Sequence, residues 1–70
     1  MKNELIDISI KPNIIGYYPT LHCWDIQDEI PSGCYWNGEM FKTNLPIYVY
    51  INKVFDNELD AETYMYNYLE

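Results

Sequence analysis

Ile47-Tyr48-Val49-Tyr50-Ile51-Asn52-Lys53-Val54-Phe55 runs directly into Asp56-Asn57-Glu58-Leu59-Asp60-Ala61-Glu62-Thr63-Tyr64-Met65-Tyr66-Asn67-Tyr68-Leu69-Glu70, and the apolar period changes between the two. In the first part Ile47, Val49 and Ile51 alternate with Tyr48, Tyr50 and Asn52, and β-branched and aromatic residues dominate, which predicts a strand. In the second, Ala61, Tyr64, Met65, Tyr68 and Leu69 fall at i, i+3, i+4, i+7 and i+8, one stripe of a helix. Asp60 reads as its N-cap, and Leu59 before it stands at the right spacing to contact Tyr64 as a hydrophobic staple. A helix this short does not hold alone in water, so its stripe must dock on a sheet. The fold class that follows is α+β, a small antiparallel sheet of three to five strands with one C-terminal helix packed on it.

Upstream, Cys34-Tyr35-Trp36-Asn37-Gly38-Glu39-Met40-Phe41 carries the sharpest local signal. Asn-Gly suits the two positive-φ positions of a type I′ turn, which pairs Trp36 with Glu39, Tyr35 with Met40 and Cys34 with Phe41. Thr43 to Pro46 connects this hairpin to the long strand. At the other end of the chain, Leu5-Ile6-Asp7-Ile8-Ser9-Ile10 alternates, placing Ile6, Ile8 and Ile10 on one face of a strand that Lys11-Pro12-Asn13 ends. Ile14 to Thr20, with Gly16 and Pro19, reads as an irregular connection. Leu21 to Ile26 reads as a second strand, with His22, Trp24 and Ile26 opposing Leu21 and Cys23. Asp28 to Gly33 is turn chemistry, punctuated by Pro31 and Gly33.

Seventy residues make one domain, residues 1–70, because no second core can be built from what the first leaves over. Half of the chain is apolar by the broad count and 17% is aromatic, which argues for a folded protein and against disorder. A core of this size is marginal, and dimerisation through an outward tyrosine face of Tyr48, Tyr50 and Tyr66 is one way to strengthen it. The alternative is that these tyrosines cover the sheet. The N-terminus has no uninterrupted apolar run of the secretory type, and no stretch approaches the ~18 apolar residues of a membrane span. The expected location is therefore the cytoplasm, where Cys23 and Cys34 are more readily reduced than bridged.

The formal charge is −7, from four lysines, no arginine and eleven carboxylates. Direct nucleic-acid binding is disfavoured, since phosphates are held largely by Lys and Arg. Residues 1–24 balance Lys2 and Lys11 against Glu4 and Asp7, so the whole excess arises beyond them. It gathers in Asp25, Asp28 and Glu29, and again in Asp56, Glu58, Asp60 and Glu62, with Glu39 between and Glu70 closing the chain. Catalysis finds little support. His22 and Cys23 are adjacent and point to opposite faces of a strand, so they are no ready nucleophile pair. With Cys34 they make three metal ligands without a Cys-x-x-Cys, too few for zinc, and no glycine-rich phosphate loop is present. No cofactor is expected. The run Asp56, Glu58, Asp60, Glu62 recurs every second residue, and in an extended chain that spacing of ~6.6–6.8 Å lies close to two phosphate steps of a DNA strand. Acids at a helix start also serve as caps and complement the macrodipole, the structural reading of Asp60 and Glu62.

In size, charge and these clusters the chain resembles the small acidic host-takeover and anti-defence proteins of bacteriophages, several of which are DNA mimics. It is similar in type to those that block a nucleoid-associated protein of the HU class. That resemblance implies inhibition by occlusion of a basic DNA-binding protein of a bacterial host. Asp25, Asp28, Glu29, Glu39, Asp56, Glu58, Asp60, Glu62 and Glu70 would stand in for phosphates, with Trp36 and Tyr66 adding apolar contact. The competing expectation is a non-catalytic interaction module or small homodimeric subunit that binds through its tyrosines.

Overall fold

A computed structural model describes residues 4–25 and 28–70. The elements are β1 (Leu5–Asp7), β2 (Gly16–His22), β3 (Ile30–Trp36), β4 (Ile47–Ile51) and α1 (Glu58–Tyr68). The strands form one antiparallel sheet in the order β1-β4-β2-β3, and α1 lies on one face, against β2 and β3. The expected α+β architecture is therefore the observed one.

Two strands occupy sequence that reads as connection. β2 takes Gly16 to Thr20 into the middle of the sheet, despite Pro19, and β3 takes Ile30 to Gly33, despite Pro31. Both prolines sit where the ladder has no use for an N–H. Tyr17 exchanges both backbone bonds with Phe55, so Pro19, two residues along, points to the same side, into the interval between that bridge and the Thr20–Tyr50 pair, where β2 and β4 are not paired. Pro31 points outward from the edge strand, on the side where the Tyr35 carbonyl accepts from Lys42 N at 2.8 Å. The expected strand from Leu21 to Ile26 ends at His22, and Ile26 lies outside the described residues.

β1 is shorter than its alternation suggests. The Asp7 carboxylate accepts from Ser9 N at 2.9 Å and the Asp7 carbonyl from Ile10 N at 3.0 Å, a local turn that competes with the ladder and ends it. Ile8 and Ile10 consequently leave the face of half-buried Ile6, and Ile10 is 60% exposed. The chain then crosses the sheet on the side away from the helix, where the Tyr50 hydroxyl donates to the Ile10 carbonyl at 2.7 Å and the Tyr18 hydroxyl to the Ile14 carbonyl at 2.5 Å.

The Asn-Gly turn is wider than a two-residue hairpin. Trp36 pairs with Phe41, and the Asn37 side chain accepts from Glu39 N and Met40 N at 2.8 and 2.9 Å. No described residue other than glycine has positive φ, so Asn37 cannot supply the first position of a type I′ turn; Gly38, at φ 103°, alone takes that conformation here.

Each face of the sheet has its own core. Toward the helix, Leu21, Ile51 and Met65 pack with Val49, Tyr64 and Tyr68. Away from it, Tyr18, Trp36 and Tyr50 pack with Ile6 and Phe41. Tyr50 is thus buried, which removes it from the outward tyrosine face expected of β4. Gly33 seats the helix: a Cβ there would lie 2.3 Å from the Glu58 carbonyl oxygen and 3.1 Å from the Ala61 Cβ. The helix begins three residues earlier than its stripe suggests. Asn57, not Asp60, is the N-cap; its side chain accepts from Asp60 N at 2.8 Å and donates to the Asp60 carboxylate at 3.1 Å. Leu59 is 69% exposed and makes no staple. Among the described residues no helix is long and apolar enough to cross a membrane.

Candidate functional site

All eleven carboxylates lie on the surface, none of them in a core. The structure sorts those beyond residue 24 into two groups, with Glu39, Asp56 and Asp60 outside both. Asp25, Asp28 and Glu29 occupy the connection from β2 to β3, at the end of the sheet where His22 pairs with Ile30 and with Ile47. Asp28 N donates to the Asp25 carbonyl at 3.0 Å. Glu29 is tied to β4 by the Tyr48 hydroxyl, which donates to its carboxylate at 2.9 Å. Burial, reinforced by that bond and by the charge of Glu29, pushes the Tyr48 phenol up to about 12. Tyr48 therefore stays protonated and keeps Glu29 in place across the neutral range.

The second group is on the helix and just past its end. Glu58, Glu62 and Tyr66 follow one another at i+4 steps and are exposed along the flank of the stripe that Ala61 and Met65 bury, and Glu70 is exposed just beyond the C-cap Leu69. This corrects the even spacing expected of Asp56, Glu58, Asp60 and Glu62. Only Asp56 precedes the helix, and within a helix residues two apart turn ~200° from each other, so Asp60 does not share a face with Glu58 and Glu62. Asp60 is engaged with the Asn57 cap, the structural role. Glu39 stands apart, on the turn after β3, beside the groove that Ile8, Met40 and Phe41 line. The nine acids of this part of the chain do not converge on one lattice; six of them form an acidic helix flank, extended by Glu70, and an acidic loop at one end of the sheet.

Of the two aromatic residues expected to add contact, one is available. Tyr66 is 58% exposed between Glu62 and Glu70. Trp36 is 4% exposed, its ring against Phe41 at 5.0 Å between centroids, so it is a core residue and offers a partner nothing. Trp24 takes its place. It is 68% exposed next to Asp25, and its ring meets the buried His22 ring edge-on at 6.2 Å, which gives it a fixed seat. An exposed tryptophan next to Asp25, in a connection that also carries Asp28 and Glu29, has the composition of an interface anchor. Its position beside Asp25, two residues after His22 ends β2, is the sequence signal that would have found it.

The far face also gathers side chains with chemistry. Thr20 Oγ1 lies 2.7 Å from Ser32 Oγ and 3.2 Å from Cys34 Sγ, and Ser32 Oγ lies 3.2 Å from His22 Nδ1. All four side chains are buried, and no described buried side-chain polar atom lacks a partner. Such a closed network specifies the pairing of β2 with β3 and presents no atom to a substrate. Cys34 and the half-buried Cys23 are both free thiols. Among the described residues no three His, Cys, Asp or Glu side chains form a group that could hold a metal ion. No family model, curated protein or solved structure matches this chain.

Proposed function

We propose that the protein is a non-catalytic acidic binder that occupies the basic DNA-binding surface of a nucleic-acid-binding protein in a bacterial cytoplasm and so displaces DNA. A nucleoid protein of the HU class is the favoured target, on the resemblance in size and charge. The observation that carries the reading is the exposure of every carboxylate on a body only 30 Å long with a net charge of −7. Spread along that length, eleven carboxylates amount to one per ~2.7 Å, against one phosphate per ~1.7 Å of duplex. The field has the sign of DNA and a lower density. Charge therefore speeds encounter with a basic surface, while affinity has to come in part from apolar anchors among the acids, the role given to Trp24 and Tyr66.

The test is a competition assay in which the protein displaces a labelled duplex from an HU-type protein across a salt series. Displacement is expected to weaken steeply with salt. The double reversal Glu58→Lys and Glu62→Lys should weaken it at least ~10-fold at low salt, because each reversal places a like charge against the basic surface. Trp24→Ala should weaken it with an unchanged salt slope. Binding that ignores both salt and the reversal would overturn mimicry in favour of an uncharged interaction module.

A further inference from the structure

We infer that this chain forms a twofold homodimer through the face opposite the helix, where the segment from Ile8 to Ile15 and the turn after β3 together expose an apolar patch. Ile10 and Ile14 are each 60% exposed, Ile15 56% and Met40 54%. They belong to one surface. Ile8 and Met40 line the same groove, of about 350 Å³, and Ile15 lies beside Gly38. The Ile10 and Ile14 carbonyls are held by the hydroxyls of Tyr50 and Tyr18, whose rings meet edge to face at 5.8 Å. The tyrosines thus fasten this segment over the sheet with its isoleucine side chains turned out to solvent. Apolar side chains gathered in this way mark an interaction surface more often than scattered ones do.

Charge identifies the occupant. The charged residues that line or border the patch are Asp7, Lys11, Glu39 and Lys42, which sum to zero, so the entire −7 of the chain lies elsewhere. Two copies of so acidic a protein repel each other over the rest of their surface, and this is the face on which they can meet without that cost. Lys11 and Glu39 moreover line the same groove. In a twofold contact residue i of one copy meets residue j of the other and the reverse, so a patch that carries both signs is complementary to itself. A basic partner would find no acidic excess here, and an anionic membrane would be repelled by the remainder of the molecule. The dimer leaves the helix face and the Trp24 loop of both copies free, and it does not rest on the identity of the target.

The experiment is sedimentation equilibrium over a concentration series, with circular dichroism to check that each variant is folded. The wild-type chain should reach twice its 8.4 kDa mass. Ile14→Glu should abolish association. Lys11→Glu should raise the dissociation constant at least ~10-fold by setting Glu against Glu39 of the second copy, and Lys11→Glu combined with Glu39→Lys should restore it. All three positions are exposed, so the fold should survive each change. A wild-type mass that stays at one chain at every concentration would overturn the proposal. So would association that the double exchange does not restore, or methyl signals of Ile10, Ile14 and Met40 that shift only when the basic target or phosphatidylcholine vesicles are added.

Discussion

The two faces of the sheet are sealed by different chemistry. Against the helix, Leu21, Ile51 and Met65 make an aliphatic layer, and what closes it is a regular element with its backbone bonds satisfied internally. On the far face Tyr18, Trp36 and Tyr50 make an aromatic layer, and what closes it is irregular chain. Irregular chain brings carbonyl groups that need donors, and the tyrosines provide them: their rings fill the core while their hydroxyls reach the Ile10 and Ile14 carbonyls at its rim. Several of the eight tyrosines are thus explained by the fold rather than by a partner: Tyr18 and Tyr50 on the far face, Tyr64 and Tyr68 under the helix, and Tyr48 at Glu29. One face depends on shape and the other on hydrogen bonds, and they should fail differently.

The shape-dependent face should show the largest effect. Gly33→Ala drives a Cβ to 2.3 Å from the Glu58 carbonyl oxygen, which is backbone and cannot swing aside, so the helix must lift from β3. Overpacking of this kind is expected to cost about 3 kcal/mol, the upper part of its usual range. For so small a domain that lowers the melting temperature by more than ~10 °C. Ser32→Ala, at the neighbouring position on the other face, loses hydrogen bonds to Thr20 and His22 instead and should cost about half as much. Thermal unfolding followed by circular dichroism compares the two. Equal melting temperatures for Gly33→Ala and wild type would mean that the helix sits further from the sheet than described.

The hydrogen-bonded face should be the alkali-sensitive one. Burial raises the pKa of Tyr18 and Tyr50, and Tyr48 is pushed up to about 12 by burial and by Glu29. An unfolded tyrosine titrates near ~10, so above that pH the folded chain holds more protons than the unfolded one, and stability falls as pH rises. It should be intact below ~10 and be lost progressively through the window that closes near the Tyr48 value. Tyr50→Phe should lower stability at neutral pH by about 1 kcal/mol, through the bond lost to Ile10, and make the alkaline fall shallower because one group with a raised pKa is gone. Parallel records of tyrosinate absorbance and helix signal on a pH ramp measure both. A slope that Tyr50→Phe leaves unchanged would remove Tyr50 from the alkaline transition.

This contrast explains what could be read in advance. The helix stripe was legible because a 3.6-residue period survives wherever the helix docks, and Ala61, Tyr64, Met65 and Tyr68 do turn to the sheet. β4 was legible for its run of β-branched and aromatic residues. β2 was not, because Gly16 and Pro19 are breakers in any local reading. What permits Pro19 is the break in β2–β4 pairing between Thr20–Tyr50 and Tyr17–Phe55, which no window of sequence contains. Trp36 and Tyr50 were misplaced for a related reason: strand alternation says which residues share a face, and it took the folding of residues 8–15 across the sheet to bury both faces. The acids were legible as surface, whereas their grouping depended on where the helix starts. A helix start three residues earlier than expected replaces the even row of carboxylates with i+4 neighbours Glu58 and Glu62.

That helix start supplies the smallest expected effects and the finest comparison. Asn57 as N-cap predicts that Asn57→Ala costs about 1 kcal/mol, since an orphan N–H at Asp60 and the reciprocal bond to its carboxylate are both lost. Leu59, exposed and without a staple, predicts that Leu59→Ser stays within ~0.5 kcal/mol of wild type. A helix beginning at Asp60 reverses the order, because Leu59 would then lie at N′ and pack against Tyr64, while Asn57 would lie outside the helix. Urea unfolding of the two variants decides between the starts, and with them the acidic surface. If Leu59→Ser proves the costlier change, Glu58 lies outside the helix and the i+4 row of Glu58, Glu62 and Tyr66 loses its first member.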